Sequence, residues 1–362
     1  MLGKKLFQKK MTTYSLNYIS TFLFMTFIIC IALNVLLIKK KEFFYKLYPD
    51  YNPIQKIHDR YVPPIGGLVI FILFYLFIFI NYPDSFFTKL YILIPSIFII
   101  IIGLIEDIFG KASAILRLII IFSGSLIFTS YTKYLPNLEI WLIGEIINNN
   151  SILKIVFFAI CLTAISNGMN MIDGMNGLAA LTGLSILACI FSIIYVSQGM
   201  NNYLICIISL ALLLFTFLIF NFPFGKIFLG DSGAYWIGWL LGAMVIDLYS
   251  DNKFNTWGAV LVLFYPTIEV VFSTIRKLIQ KRSPFKSDTE HLHLKLYLTL
   301  KGPVKRSPFF NSFTTLCLMP FWAVPPLAIM WVNYVNNLTI LFLILITLFY
   351  FIYYFMIKVK KS

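Results

Sequence analysis

Charge is what this chain has least of. Only 12% of its 362 residues are Asp, Glu, Lys or Arg, about half the share of an ordinary soluble domain. That scarcity excludes a soluble globule of the usual kind. It equally excludes a disordered chain, which needs high polarity to stay unfolded in water. Acid is scarcer still, with 15 Asp and Glu against 29 Lys and Arg and a net charge of +14. On a soluble domain that balance would suggest nucleic acid. In so apolar a chain it belongs to loops that flank a membrane, and no nucleic-acid partner is expected. The five cysteines, Cys30, Cys161, Cys189, Cys206 and Cys317, fall in apolar stretches and none has the spacing of a metal ligand. They read as small buried hydrophobes rather than a metal or redox centre. No repeat or low-complexity tract is evident, which excludes collagen-like and solenoid architectures.

What is abundant is apolar surface. Hydrophobic residues make up 60% and aromatics 18% of the chain, and the mean hydropathy is +0.86. A helix needs roughly 20 apolar residues to cross the hydrocarbon core. Runs of that kind lie near 14–38, 65–81, 90–105, 115–130, 151–169, 177–198, 203–221, 232–249, 256–276, 312–332 and 337–357. The expected fold is therefore all-α, a polytopic membrane helix bundle of about eleven transmembrane helices, or ten. It forms one integral membrane domain over 1–362, with a basic, histidine-bearing loop at 276–308. The run at 14–38 is too long for a signal-peptide core of about 7–15 residues, so it reads as the first span. Pro95 and Pro266 are expected to kink theirs.

Lys and Arg set the orientation. Segments 39–64, 106–117, 222–231, 276–308 and the C-terminus share one side and hold 21 of the 29; the other side holds 8. The first side is expected to be cytoplasmic, which puts the N-terminus outside. The segment Tyr131–Asn150 lies outside in this scheme, with Trp141 as a candidate interfacial anchor.

Most of the few acids then fall at one face. Glu106 and Asp107 end the third span. Asp173 follows the fifth, Asp231 opens the eighth, and Glu269 lies in the inner half of the ninth. Asp288 and Glu290 sit in the basic loop beside His291 and His293. Ionisable groups beside membrane helices are costly and mark sites. A single acid at a helix end would be ordinary interfacial charge; five at one depth are not. The run Asn167–Gly177 packs Asn170, Asp173 and Asn176 among three glycines, supplying donors and acceptors for a base edge and glycines for close backbone approach. Asn221 leads into Phe228-Leu229-Gly230-Asp231-Ser232-Gly233. There Asp231 stands near a helix N-terminus suited to anions, its carboxylate can hold a hard cation, and Phe228 offers a face for stacking. Arg276, Lys277, Lys281, Arg282, Lys286 and Lys295 flank the two histidines, as a diphosphate would require. His291 and His293, two apart, do not share a helix face and suit phosphate better than zinc. Together these residues describe a cytoplasmic phosphoryl-transfer site.

The motifs resemble those of the polyprenyl-phosphate N-acetylhexosamine-1-phosphate transferases, glycosyltransferase family 4. That family includes phospho-MurNAc-pentapeptide translocase and the undecaprenyl-phosphate GlcNAc-1-phosphate transferases. The likeness runs from about Pro63 to Tyr297. It is carried in order by Pro63-Pro64-Ile65-Gly66-Gly67, Gly103-Leu104-Ile105-Glu106-Asp107, Asn167–Leu178, Phe228–Gly233, and Ser283-Pro284-Phe285 before His291-Leu292-His293. The resemblance implies transfer of a sugar 1-phosphate from a UDP-sugar to undecaprenyl phosphate, with release of UMP. It also implies Mg²⁺ (Mn²⁺ able to substitute), a bacterial cytoplasmic membrane with its lipids as surroundings, and allows a homodimer. It assigns Asp231, with Asp173, to the metal. Asp107 and Glu106 go to the lipid phosphate, with Asp107, Glu106, Asp231 and His291 as the catalytic set. Asn170, Asp173, Asn176, Asn221 and Phe228 go to the nucleotide, Phe228 stacking on uracil. Glu269 matches an acid of the family, and His291, His293 and Arg282 form the diphosphate loop. Glu106, Asn176 and Leu294 stand where many members have Asp, Asp and His. These departures point to an initiator of surface polysaccharide with a small N-acetylated hexosamine. Phospho-MurNAc-pentapeptide transfer is the alternative within the family. A lipid or solute transporter is the rival from another class, but it calls for mid-bilayer polar groups and paired broken helices. A CDP-alcohol phosphotransferase would need an Ala-Arg after Asp173-Gly174, where Met175-Asn176 stand.

Overall fold

A computed structural model describes residues 2–40, 62–110, 112–286, 288–301, 308–333 and 335–357, with side chains from residue 20 onward except that of Pro308. Most of the basic segment expected at 39–64, the stretch 302–307 and the tail 358–362 lie outside the described residues. Every regular element among those described is helical. They are α1 (Leu2–Lys39), α2 (Gly66–Asn81), a 3-10 turn (Phe86–Thr88), α3 (Leu90–Phe109), α4 (Ala114–Tyr131), the short α5 (Ile143–Asn148), α6 (Ser151–Ile172), α7 (Leu178–Gln198) and α8 (Asn202–Asn221). There follow α9 (Gly230–Ser250), α10 (Thr256–Val262), α11 (Phe264–Ile279), α12 (Leu292–Lys301), α13 (Pro308–Cys317), α14 (Met319–Trp322), α15 (Val324–Val332) and α16 (Asn336–Met356).

Seven are long and apolar enough to cross a membrane: residues Ser20–Lys39 of α1, then α3, α4, α6, α7, α8 and α16; α10 with α11 is an eighth candidate. The chain is a multi-span, all-α membrane protein. α2 is apolar but only 16 residues long. Side chains set the boundaries. Ser113, Asn150, Asn201 and Asn255 each accept a backbone N–H in the first turn of α4, α6, α8 and α10, replacing a bond the helix cannot supply. Gly110 ends α3 in a left-handed turn at φ 58°.

Two expected spans are not single helices. The run 256–276 breaks at Leu263 with a bend of 88°. Pro266 follows three residues on, has no N–H to donate, and its ring clashes with the carbonyl four residues back. The run 312–332 is three short helices, broken at Leu318 and Ala323 just ahead of Pro320, Pro325 and Pro326 for the same reason. Pro95, by contrast, lies inside an unbroken α3.

α9 is the axis of the bundle. Apart from Asp231, Asp247 and Ser250, all its residues are buried, and α6, α3, α2 and α7 surround it. Close approach is possible because glycines face it. A Cβ on Gly67 would lie 2.1 Å from Gly233 Cα, and one on Gly103 would lie 2.2 Å from Ser232 Cα. The C-termini of α3 and α6, the N-termini of α4 and α9 and the polar side of α11 are thereby gathered at one end.

Candidate active site

The site starts at the N-terminus of α9. The first N–H groups of a helix have no partner within it, and here Asp107 supplies one. Its Oδ1 accepts Asp231 N at 2.8 Å and its Oδ2 accepts Ser232 N at 3.0 Å. The anion position anticipated at this terminus is thus filled by the chain's own carboxylate. Gly230, at φ 81°, makes room: a Cβ there would stand 2.2 Å from the Pro64 carbonyl and 2.7 Å from Asp107 Oδ2. Pro63 and Gly66-Gly67 pair by backbone with Phe228 and Leu229, so three separate sequence motifs close on one another here.

Capped in this way, Asp231 turns outward. Its Oδ1 accepts Asn170 Nδ2 at 2.9 Å, and its Oδ2 meets Arg117 Nη1 at 2.5 Å. Arg117 also lies 3.5 Å from Glu106 Oε1, whose other oxygen accepts the backbone N–H of Ala112 at 3.0 Å. One guanidinium thus bridges acids from two helices, while its Nε is buried without a partner among the described residues. Asp173, just past α6, is the next acid. Burial first, then the negative Asp231 and Asp107, push its carboxyl well above the ordinary range.

The facing wall comes from α11 and the segment after it. α11 is strongly two-sided. Val271, Ile275, Leu278 and Ile279 are exposed, whereas Glu269, Ser273, Arg276 and Lys277 are buried, so its polar stripe faces the site and its apolar stripe faces outward. Arg276 binds Asp288 at 2.8 Å and the Glu290 carbonyl at 2.5 Å. Lys277 Nζ donates to the Pro284 and Lys286 carbonyls at 3.2 and 2.8 Å. His291 Nδ1 lies 3.2 Å from Glu269 Oε2. Burial would raise the Asp288 carboxyl, but His291, the Glu290 N–H, Arg276 and Lys277 together hold it below its usual value.

Between the walls lies a cavity of about 340 Å³. Glu106, Arg117, Asn167, Asn170, Asp231 and Tyr235 line one side; Lys277, Phe285, Lys286 and His291 line the other. Of the residues expected from sequence, Glu106, Asn170, Asp231 and His291 meet there. Asp107 stands behind Asp231 as its cap, and Glu269 stands behind His291. The others lie elsewhere. Asn176 is tied to α13, with its backbone N–H on Asn311 Oδ1 at 2.5 Å and its carbonyl accepting Thr315 Oγ1 at 2.8 Å. Asn221 accepts Gly177 N at 2.5 Å and donates to the Ile227 carbonyl at 2.8 Å, holding two turns together. Phe228 contributes its backbone to the Pro63–Gly67 pairing and does not line the cavity. Arg282 is exposed and pairs with Glu290 at 3.3 Å. His293 is buried, stacked on His291 with ring centroids 5.6 Å apart, and burial pushes it down to about 4. Gly168, expected to let a ligand approach, instead lets the Pro266 carbonyl approach, 2.2 Å from where its Cβ would be.

Sequence reasoning missed Arg117, which it counted only as a loop charge, and Tyr235 and Asn167. The available signal for Arg117 was its spacing. It is the fourth residue of the helix that follows Glu106-Asp107.

An acid cluster around one guanidinium, facing a basic histidine wall across a cavity at one end of an all-α membrane bundle, is an arrangement suited to a phosphate-bearing anion. The comparisons make that class specific. The family model described as glycosyl transferase family 4 matches residues 89–249. An undecaprenyl-phosphate alpha-N-acetylglucosaminyl 1-phosphate transferase of Thermotoga maritima is 31% identical over 256 residues, 70% of this chain and 73% of that protein. A phospho-N-acetylmuramoyl-pentapeptide-transferase of Clostridium beijerinckii is 26% identical over 275 residues, 72% of this chain and 82% of that one. A decaprenyl-phosphate N-acetylglucosaminephosphotransferase of Mycolicibacterium smegmatis is 33% identical over 153 residues, 37% of this chain and 38% of that one. The chain belongs to glycosyl transferase family 4.

Proposed function

We propose that this protein transfers N-acetylhexosamine 1-phosphate from a UDP-sugar to undecaprenyl phosphate, releasing UMP, as the first membrane step of surface-polysaccharide synthesis. The observation that carries the reading is the cavity, with Asp231, Glu106 and Arg117 on one side and Lys277, Lys286 and His291 on the other. The names of the relatives support the same class of reaction. The site lies at the cytoplasmic face of a bacterial cytoplasmic membrane, on the side that carries most of the Lys and Arg.

A phosphate oxygen of the lipid attacks the phosphorus joined to the sugar. The bond from that phosphorus to the bridging oxygen breaks, and the electron pair leaves with UMP. Phosphoryl transfer asks the protein mainly for position and for opposite charge. The basic wall, with His291 facing the cavity and the Lys286 chain beside it, receives the charge that develops on UMP. Arg117 faces the phosphates from the acid side. Asn170 fixes Asp231, and Asp107 fixes the start of α9, so both act on Asp231's position. Arg282, paired outside the cavity, leaves the leaving-group role to His291.

The donor set also fits Mg²⁺. This ion commonly takes one or two carboxylates and completes its shell with water and substrate phosphates. Asp231 lines the cavity and Asp173 does not, and no grouped set of three acid, His or Cys side chains is present among the described residues. Asp231 would hold the ion, with Asp173 as the second acid the resemblance implies, and the ion would supply charge neutralisation of the donor diphosphate.

The test is UMP release by purified protein given undecaprenyl phosphate, Mg²⁺ and, in turn, UDP-GlcNAc, UDP-GalNAc and UDP-MurNAc-pentapeptide. Release that needs the lipid, and occurs with a small N-acetylhexosamine donor, is expected. Release with the pentapeptide donor alone would transfer the protein to peptidoglycan synthesis. No release and no nucleotide binding would overturn the reading.

A further inference from the structure

The C-terminal helix α16 contributes nothing to the cavity wall, yet two of its tyrosines end in the histidine segment. Tyr350, fully buried, donates its hydroxyl to Glu269 Oε1 at 3.0 Å. The other oxygen of that carboxylate faces His291 Nδ1 at 3.2 Å. One turn later, Tyr354 accepts Arg276 Nη1 at 3.0 Å and donates to the Glu290 carbonyl at 3.0 Å. Lys295 Nζ sits 3.7 Å from the Tyr354 ring centre and donates to the Tyr354 carbonyl at 3.1 Å.

Glu269 needs an explanation. It is 1% exposed and does not line the cavity, so it cannot touch a ligand there. A buried carboxylate is expensive unless its oxygens are satisfied. Here Tyr350 donates to one oxygen and His291 faces the other. Of the three, only His291 reaches the cavity. With Nδ1 facing Glu269, its Nε2 lies 3.6 Å from Asp288 Oδ1, an ion-pair distance when the ring is protonated. The ring is therefore held from behind by Glu269, and its other nitrogen is beside Asp288.

We propose that α16 is the positioning element of the histidine segment, with Tyr350 and Glu269 as positioning residues that aim His291 into the cavity and Tyr354 as the second clamp through Arg276 and Glu290. The chain runs Tyr350 to Glu269 to His291, from a helix at the end of the sequence to the site wall. Two tyrosines four residues apart share one helix face, so a single rigid element sets both contacts. The activity part of this proposal rests on the transferase reading; the structural part does not.

Tyr350→Phe removes the hydroxyl and keeps the ring in its packing with Phe272, Phe321 and Phe351. The chain has three histidines, so protein labelled with nitrogen-15 in histidine gives a spectrum simple enough to follow His291 itself. The expected result is a displaced His291 imidazole signal in Tyr350→Phe and in Glu269→Gln, with Tyr350→Phe folded at the assay temperature but lowered in thermal midpoint, because one oxygen of a buried carboxylate loses its partner. In the UMP-release assay kcat falls roughly three- to tenfold, the loss of one hydrogen bond, while KM for the donor stays put. Glu269→Asp restores part of what Glu269→Gln loses. Ile352→Val, exposed on the same helix, changes neither reading. An unmoved His291 signal in Tyr350→Phe, or a rate loss explained wholly by unfolded protein, would overturn the proposal. If Tyr350→Phe does not fold, the Glu269→Asp and Glu269→Gln pair decides by the same spectrum. If the wild type releases no UMP, the transferase reading fails while the spectra still decide whether α16 aims His291.

Discussion

Arg117 illustrates how a residue's work depends on what faces it. In the sequence it is one of two basic residues in a short loop expected on the cytoplasmic side, and orientation accounts for it. In the fold it is the first-turn residue of α4 that meets Asp231 at 2.5 Å and Glu106 at 3.5 Å. No spacing rule pairs positions 117 and 231. Asp107 is the reverse case. Its type and place were legible, but both of its oxygens are taken by backbone N–H groups of α9. His293 likewise looked like a phosphate donor and is a buried, neutral ring with no hydrogen-bond partner among the described residues. That ring has a measurable consequence. Burial pushes it down to about 4, whereas in the unfolded chain histidine titrates near 6.5. Between those values only the unfolded state takes the proton. Stability therefore falls as pH drops from about 6.5 to about 4, by about 3 kcal/mol in all, and His293 costs nothing more below that. Thermal unfolding in detergent across this range should show the decline, and His293→Leu should flatten it. An equal decline in the variant would assign the effect to other groups.

At the scale of elements, hydrophobic run length located most helices to within a few residues, because a span is fixed by bilayer thickness and little else. It failed where proline interrupts. The breaks at Leu263, Leu318 and Ala323 could be read from Pro266, Pro320, Pro325 and Pro326, but the 88° bend at the first depends on what α11 finds to pack against. The glycines of the Asn167–Gly177 run were read as room for a ligand. Gly168 proves to be room for the Pro266 carbonyl, and Gly67 and Gly103, which were given no such reading, are room for α9, which could not reach the centre of the bundle if α2 and α3 carried side chains there. Gly103→Ala places a methyl 2.2 Å from Ser232 Cα and is expected to lower stability by about 1–3 kcal/mol, measured by thermal unfolding, with the start of α9 displaced. Gly183→Ala, whose new Cβ would find its nearest neighbour 3.4 Å away at Leu214 Cδ1, is the matched control and should be near neutral. Equal stability in both variants would mean that α9 is not held as tightly as its contacts indicate.

Across the whole molecule, two sequence properties converge. Hydropathy gave a membrane bundle, and the few polar residues gave one end of it as the site; the structure joins acids of α3 and α9 and the amides of α6 to a basic wall from α11 and beyond. Which polar residues line the cavity, and which merely brace it, was not legible, since Asn176 and Asn221 have the same chemistry as Asn170 and differ only in what the fold puts beside them. The Lys and Arg bias predicts the orientation. A cysteine in place of exposed Trp141, in a chain without its native cysteines, should react with a membrane-impermeant thiol reagent on intact cells. One in place of exposed Arg282 should not, and the reverse pattern would invert the topology. The central claim is that the Asp231 cluster performs phosphoryl transfer between a nucleotide sugar and a lipid phosphate. Its most direct measurement is lipid-dependent UMP release by wild type, Asp231→Asn and Arg117→Met, each shown to be folded. The account predicts turnover in the wild type and a loss of roughly 100-fold or more in Asp231→Asn, with a substantial loss in Arg117→Met. Near-normal turnover in a folded Asp231→Asn protein would contradict it.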